Sequence, residues 1–143
     1  MSDTFSAAER AAMRQRAAEL RSMKGVKGSA KKAREFEACI DALDALEGED
    51  KAIAQALHRI VTRVAPQLDP KTWYGFTAYA KDGQVIVFYQ PTSKFGTRYG
   101  TVGFQEHAAL DEGDMWATSF AVTAVTPQVE AELTQLVRRA AGS

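Results

Sequence analysis

The chain has few of the residue types that most readily announce a chemistry. One cysteine, Cys39, among 143 residues excludes an intramolecular disulfide and a cysteine-based zinc site, and it suits a reducing compartment. Two histidines, His58 and His107, lie far apart, and neither has a second histidine four residues away, so no zinc or catalytic-histidine motif is spelled out. No apolar run approaches the roughly 20 residues that span a bilayer. The opening M-S-D-T-F-S lacks the basic and apolar regions of a signal peptide. The formal net charge is zero, so no global field draws the chain to nucleic acid or to a membrane. A cytoplasmic, monomeric protein without membrane contact is the expectation.

What is present is unevenly placed. Residues 1–34 carry nine Lys/Arg against three Asp/Glu, and residues 35–50 carry seven acids and no base. A basic arm is therefore followed by an acidic helix, and the two nearly cancel. Residues 73–104 hold one of the two tryptophans, all four tyrosines and four of the seven phenylalanines. Aromatic and β-branched residues suit a pleated, half-buried surface, which makes this block the centre of the fold.

Ser6-Ala7-Ala8-Glu9 has the spacing of a capping box, and the Ala/Arg/Glu-rich run behind it predicts a helix with a thin apolar face. Residues 22–33 combine two glycines, two serines and four lysines, a composition that reads as a flexible linker. The expected organisation is an N-terminal helix and basic linker over 1–33 and a folded domain over 34–143. Phe36, Ile40, Leu43 and Leu46 recur at helical spacing up to Gly48, and a second helix from about Glu49 presents Ile53, Leu57, Ile60, Val61 and Val64 before Pro66 and Pro70. Strands are expected over about 73–80, 84–90, 98–104 and 119–125, the first two joined by a Lys-Asp-Gly-Gln hairpin turn. Thr126 and Pro127 open a last helix that carries Val129, Leu133, Leu136, Val137 and Ala140. Helices, then antiparallel strands, then a helix give an α+β fold of about four or five strands packed against N- and C-terminal helices.

Two constellations could carry chemistry. Asp41, Asp44 and Glu47 follow one another at i, i+3 spacing, and hard oxygen donors on one ridge could hold iron as a metal ligand set; a solvated helix face has the same pattern. Lys71, Trp73, Tyr79, Lys94, Arg98 and Trp116 combine cations with aromatics, as a pocket for an anionic or planar ligand would. The same rings could equally be core. Within a first strand over 73–80, Trp73 and Tyr79 would share a face. The glycines around Phe95-Gly96 and Tyr99-Gly100-Thr101-Val102-Gly103 lack a Walker Lys-Ser/Thr ending and a strand–glycine–helix context, and close strand approach is their expected role. Cys39, among Glu35, Glu37 and Asp41, is a small hydrophobe rather than a nucleophile. The basic stretch of residues 21–34 lacks interleaved aromatics, so nucleic acid is not expected as a partner. No pair of residues has a spacing that names a reaction, and no catalytic residue is assigned.

The segments W-Y-G-F-T-A-Y-A-K-D-G-Q-V-I-V-F-Y-Q, S-K-F-G-T-R-Y-G-T-V-G-F and M-W-A-T-S-F-A-V resemble the bacterial YdhG-like family, grouped with YjbR and the bacterial frataxin CyaY in one superfamily. The likeness covers about residues 35–140 and centres on an aromatic-Tyr-Gly-x-Pro-x-Tyr element. Trp73, Tyr74, Gly75, Ala78 and Tyr79 match it, and Thr77 stands where the pattern has proline. The resemblance implies a small antiparallel sheet against helices. Through the frataxin branch it implies an iron chaperone using acidic residues, and through YjbR a nucleic-acid binder. The resulting expectation is a non-enzymatic binding protein for a small anionic or planar ligand or a metal. A frataxin-like iron chaperone, or an enzyme with a Tyr/Lys/Arg pocket, is the alternative.

Overall fold

The computed structural model describes residues 4–142. Five helices and five strands follow in the order α1 (Ala7–Ser22), α2 (Gly28–Asp44), α3 (Gly48–Val64), β1 (Asp69–Trp73), β2 (Phe76–Lys81), β3 (Gln84–Gln90), α4 (Thr92–Phe95), β4 (Gly100–Phe104), β5 (Ser119–Val122) and α5 (Pro127–Ala140). The strands form one antiparallel sheet in chain order, β1-β2-β3-β4-β5. The fold is α+β, as its helix and strand patterns imply. Among the described residues, no helix is long and apolar enough to cross a membrane.

Local chemistry sets the element ends. Ser6 accepts from the Glu9 amide while Glu9 accepts from the Ser6 amide, a complete capping box. Thr126 caps α5 through the Val129 amide, with Pro127 in the first turn. The stretch read as a linker is mostly helix. Residues 28–33 form the first turns of α2, and only residues 23–27 connect it to α1. Lysine and alanine are good helix formers, and α2 starts at Gly28, whose φ of 63° favours a residue without a Cβ.

The first strand also differs from expectation. Trp73 ends β1 and Tyr79 lies on β2, with Tyr74 and Gly75 turning the chain between them at φ 56° and 82°. A second two-residue turn, Asp82-Gly83, has φ of 51° and 81° and joins β2 to β3. Positive φ at both central residues is the hairpin geometry that follows the twist of the strands. Pro70 is tolerated within β1 because β1 is an edge strand.

One face of the sheet is the core. Tyr79, Val87, Tyr89, Val102, Phe104 and Val122 pack against Cys39 and Leu43 of α2, Ile53, Leu57, Ile60 and Val61 of α3, and Leu133 and Val137 of α5. The register places Trp73, Phe76 and Phe88 on the opposite face, with ring centroids 5.2 Å (Trp73–Phe88) and 6.1 Å (Phe76–Phe88) apart. Trp73 and Tyr79 therefore point to opposite faces, because the two-residue turn breaks the single strand that would have aligned them. Glycine makes room for an aromatic on each face. A Cβ on Gly100 would lie 2.1 Å from the Tyr89 hydroxyl, and one on Gly103 would lie 2.3 Å from the Phe88 ring. Close approach is the role that the missing phosphate-loop context implied.

Candidate functional site

Asp50, in the first turn of α3, is buried and fully engaged. It accepts hydrogen bonds from the Tyr89 hydroxyl (2.6 Å), the Thr92 amide and hydroxyl (both 2.8 Å) and the Ser93 amide (3.1 Å). Burial pushes its carboxyl upward, but these donors favour the charged form more strongly, and the net shift is downward. Tyr89 is pushed up by burial and by the Asp50 carboxylate that holds its proton. Thr92 and Ser93 open α4, so this carboxylate fixes the short helix that carries Lys94. In the sequence Asp50 is one acid in a run of acids, and nothing there separates it from its solvated neighbours.

A second anchor lies at the β1–β2 turn. The Glu19 carboxylate of α1 accepts from the Tyr74 amide (3.1 Å) and the Gly75 amide (2.8 Å), and Arg16 flanks it at 3.3 Å. Ala12 is the one buried residue of α1, so this helix is held as much by polar contacts as by packing.

Between α1, α2, the β1–β2 turn and α4 lies a cavity of about 600 Å³. Ala38, Ala42, Leu46 and Pro91 give it an apolar wall. Lys94 lies at its side against Gly75, and among the described residues its ammonium has no ion-pair partner. Thr77 also lines it. Its hydroxyl is buried and without a hydrogen-bond partner among the described residues. An unpaired buried hydroxyl costs about 1–3 kcal/mol. A neighbouring cavity of about 530 Å³ contains more charge, but Lys32 pairs with Asp69 (3.6 Å), Lys71 with Glu35 (3.5 Å) and Arg16 with Glu19.

The six residues expected to form one ligand pocket are dispersed. Lys94 lines the 600 Å³ cavity. Lys71 is tied to Glu35, and Trp73 lines a shallow recess of about 220 Å³ near His107. Tyr79 is 0% exposed and belongs to the core. Arg98 is exposed, its guanidinium 5.4 Å from the Tyr99 ring centroid. Trp116 is 39% exposed beside a separate recess of about 240 Å³. A single Tyr/Lys/Arg pocket is not assembled from these residues.

The acidic ridge is also broken. α2 ends at Asp44, and Glu47 lies beyond it as the residue preceding α3, so the i, i+3 series does not continue on one helix. Among the described residues, no three His, Cys, Asp or Glu converge as a metal-holding group.

A buried polar chain links α2, β2 and α3. The Tyr79 hydroxyl lies 3.0 Å from Nδ1 of His58, and the Cys39 thiol is close enough to it for the two groups to influence one another's titration. Desolvation pushes Cys39 up to about 11, keeping it a thiol, and lowers His58, keeping the imidazole neutral. The half-buried His58 is thus a partner of Tyr79.

Searches of family models, curated proteins and solved structures give no match to this chain.

Proposed function

We propose that this chain is a YdhG-like, non-enzymatic binding protein whose ligand is a small organic anion held in the cavity between α1, α2 and the β1–β2 hairpin. The observation that carries the reading is the Lys94 ammonium at the side of that cavity, which has no ion-pair partner among the described residues. The Thr77 hydroxyl behind the same wall is buried and unpartnered among the described residues, a state native folds rarely keep, and a ligand would reach it only where the wall gives way. Lys94 supplies the charge, held by the α4 helix that Asp50 anchors. The alanine and Leu46 surface favours a ligand with an apolar body. A cytoplasmic monomer of bacterial origin fits the single buried thiol and the family resemblance.

Benzoate, planar and anionic, is a suitable probe. In calorimetry on the full chain, Lys94→Gln should weaken benzoate binding at least fivefold, the order of one charge-assisted hydrogen bond. Thr77→Val separates site from scaffold. It removes an unpaired buried hydroxyl, so the free protein should be stabilised by about 1 kcal/mol while benzoate binding weakens. A Thr77→Val protein that loses stability and binds benzoate unchanged would make Thr77 a scaffold residue and refute the assignment.

A further inference from the structure

We infer that the Tyr74 and Gly75 amides are a carboxylate-binding site that Glu19 occupies from within, and that the ligand's carboxylate displaces Glu19 as it enters. The inference rests on the cavity reading above and adds the ligand class and the route of entry.

Tyr74 and Gly75 are the two central residues of a tight hairpin turn, both at positive φ. Their amides lie outside the ladder and both reach one carboxylate, at 3.1 and 2.8 Å. Successive amides turned to one side form an anion receptor. Glu19 and Gly75 both line the 600 Å³ cavity, and the Lys94 ammonium lies against Gly75. A carboxylate in the cavity therefore meets two amide donors and one cation, all reachable from one side once Glu19 withdraws. Withdrawal is feasible because α1 buries only Ala12, while Leu20 and Met13 on the same helix are exposed. Glu19 then acts as an internal competitor: apparent affinity is reduced by the fraction of time the receptor is free of it.

The test uses the full chain, with benzoate as probe and benzamide as its neutral isostere. Amide resonances of Tyr74 and Gly75 should shift on adding benzoate and stay unmoved with benzamide. Glu19→Gln removes the competing charge and should tighten benzoate binding about tenfold, as expected if the receptor is free about one-tenth of the time. Equal benzoate affinity in both proteins, with binding still lost in Lys94→Gln, would overturn the Glu19 exchange and leave the cavity reading standing. Benzamide binding as tightly as benzoate would overturn the carboxylate requirement. If benzoate perturbs no cavity residue in either protein, both readings fall. The amide shifts of the unmutated chain decide the matter even if Glu19→Gln is unstable.

Discussion

The hydroxyl of Tyr89, on the central strand, donates a 2.6 Å hydrogen bond to the carboxylate of Asp50 at the start of α3. The bond ties the sheet to a helix and, through Thr92 and Ser93, to α4. Tyr89→Phe removes one of the donors to a buried charge and should cost about 1–3 kcal/mol. Urea denaturation measures it, and a loss below about 0.5 kcal/mol would show that the remaining donors suffice. Asp50→Asn should cost more, because four donors now meet a carboxylate and the amide can accept through only one of its two terminal atoms.

Stability should fall in two steps on acidification. His58 has a folded pKa below its ordinary value of 6.5, so the unfolded chain takes up its proton first. Its contribution is present above that value and declines as pH falls below it. Asp50 is depressed from 3.8, so its contribution holds above that value and is lost as pH falls through the lower folded pKa. Denaturation across pH 8 to 3 checks this. His58→Gln should flatten the slope between about pH 7 and 5 and leave the acid limb; an unchanged upper slope would remove His58 from the account.

The Phe88 ring rests on Gly103 across β3 and β4. Gly103→Ala places a methyl where the ring now lies and should destabilise by about 1–3 kcal/mol through forced repacking. Adding Phe88→Leu should recover part of that loss, whereas strictly additive effects in a double-mutant cycle would mean that the ring is not what the methyl displaces.

Cys39 should behave as an inert thiol. It is 0% exposed with its pKa pushed up to about 11, so a thiol reagent should label it only as fast as the protein opens. Rapid labelling at neutral pH would contradict the burial.

Much of the fold is legible in the sequence because caps and periodicity are local signals. Ser6, Thr126 and the Asp82-Gly83 turn each state their role within four residues. Strand β1 escapes that reading: a Tyr-Gly pair is not a recognised hairpin signal, and Pro70 argues for a break while an edge strand accepts it. The site is less legible still. Asp50 and Tyr89 are 39 residues apart, Glu19 and Gly75 are 56 apart, and only the fold brings them together. Thr77, noted merely as a departure from a family proline, gains its meaning from an unpaired hydroxyl that no sequence pattern can display.

The strands lie side by side in chain order, and α5 alone comes after them. On a ribosome, each strand of this sheet meets a neighbour already made, so pairing proceeds with synthesis and no strand waits for a distant partner. The exception is the final helix. Until Leu133, Val137 and Ala140 emerge, their share of the core surface on α3 and β3 stays open to water and to other chains. α5, made after every strand it covers, is thus the element whose arrival makes the nascent sheet safe from aggregation.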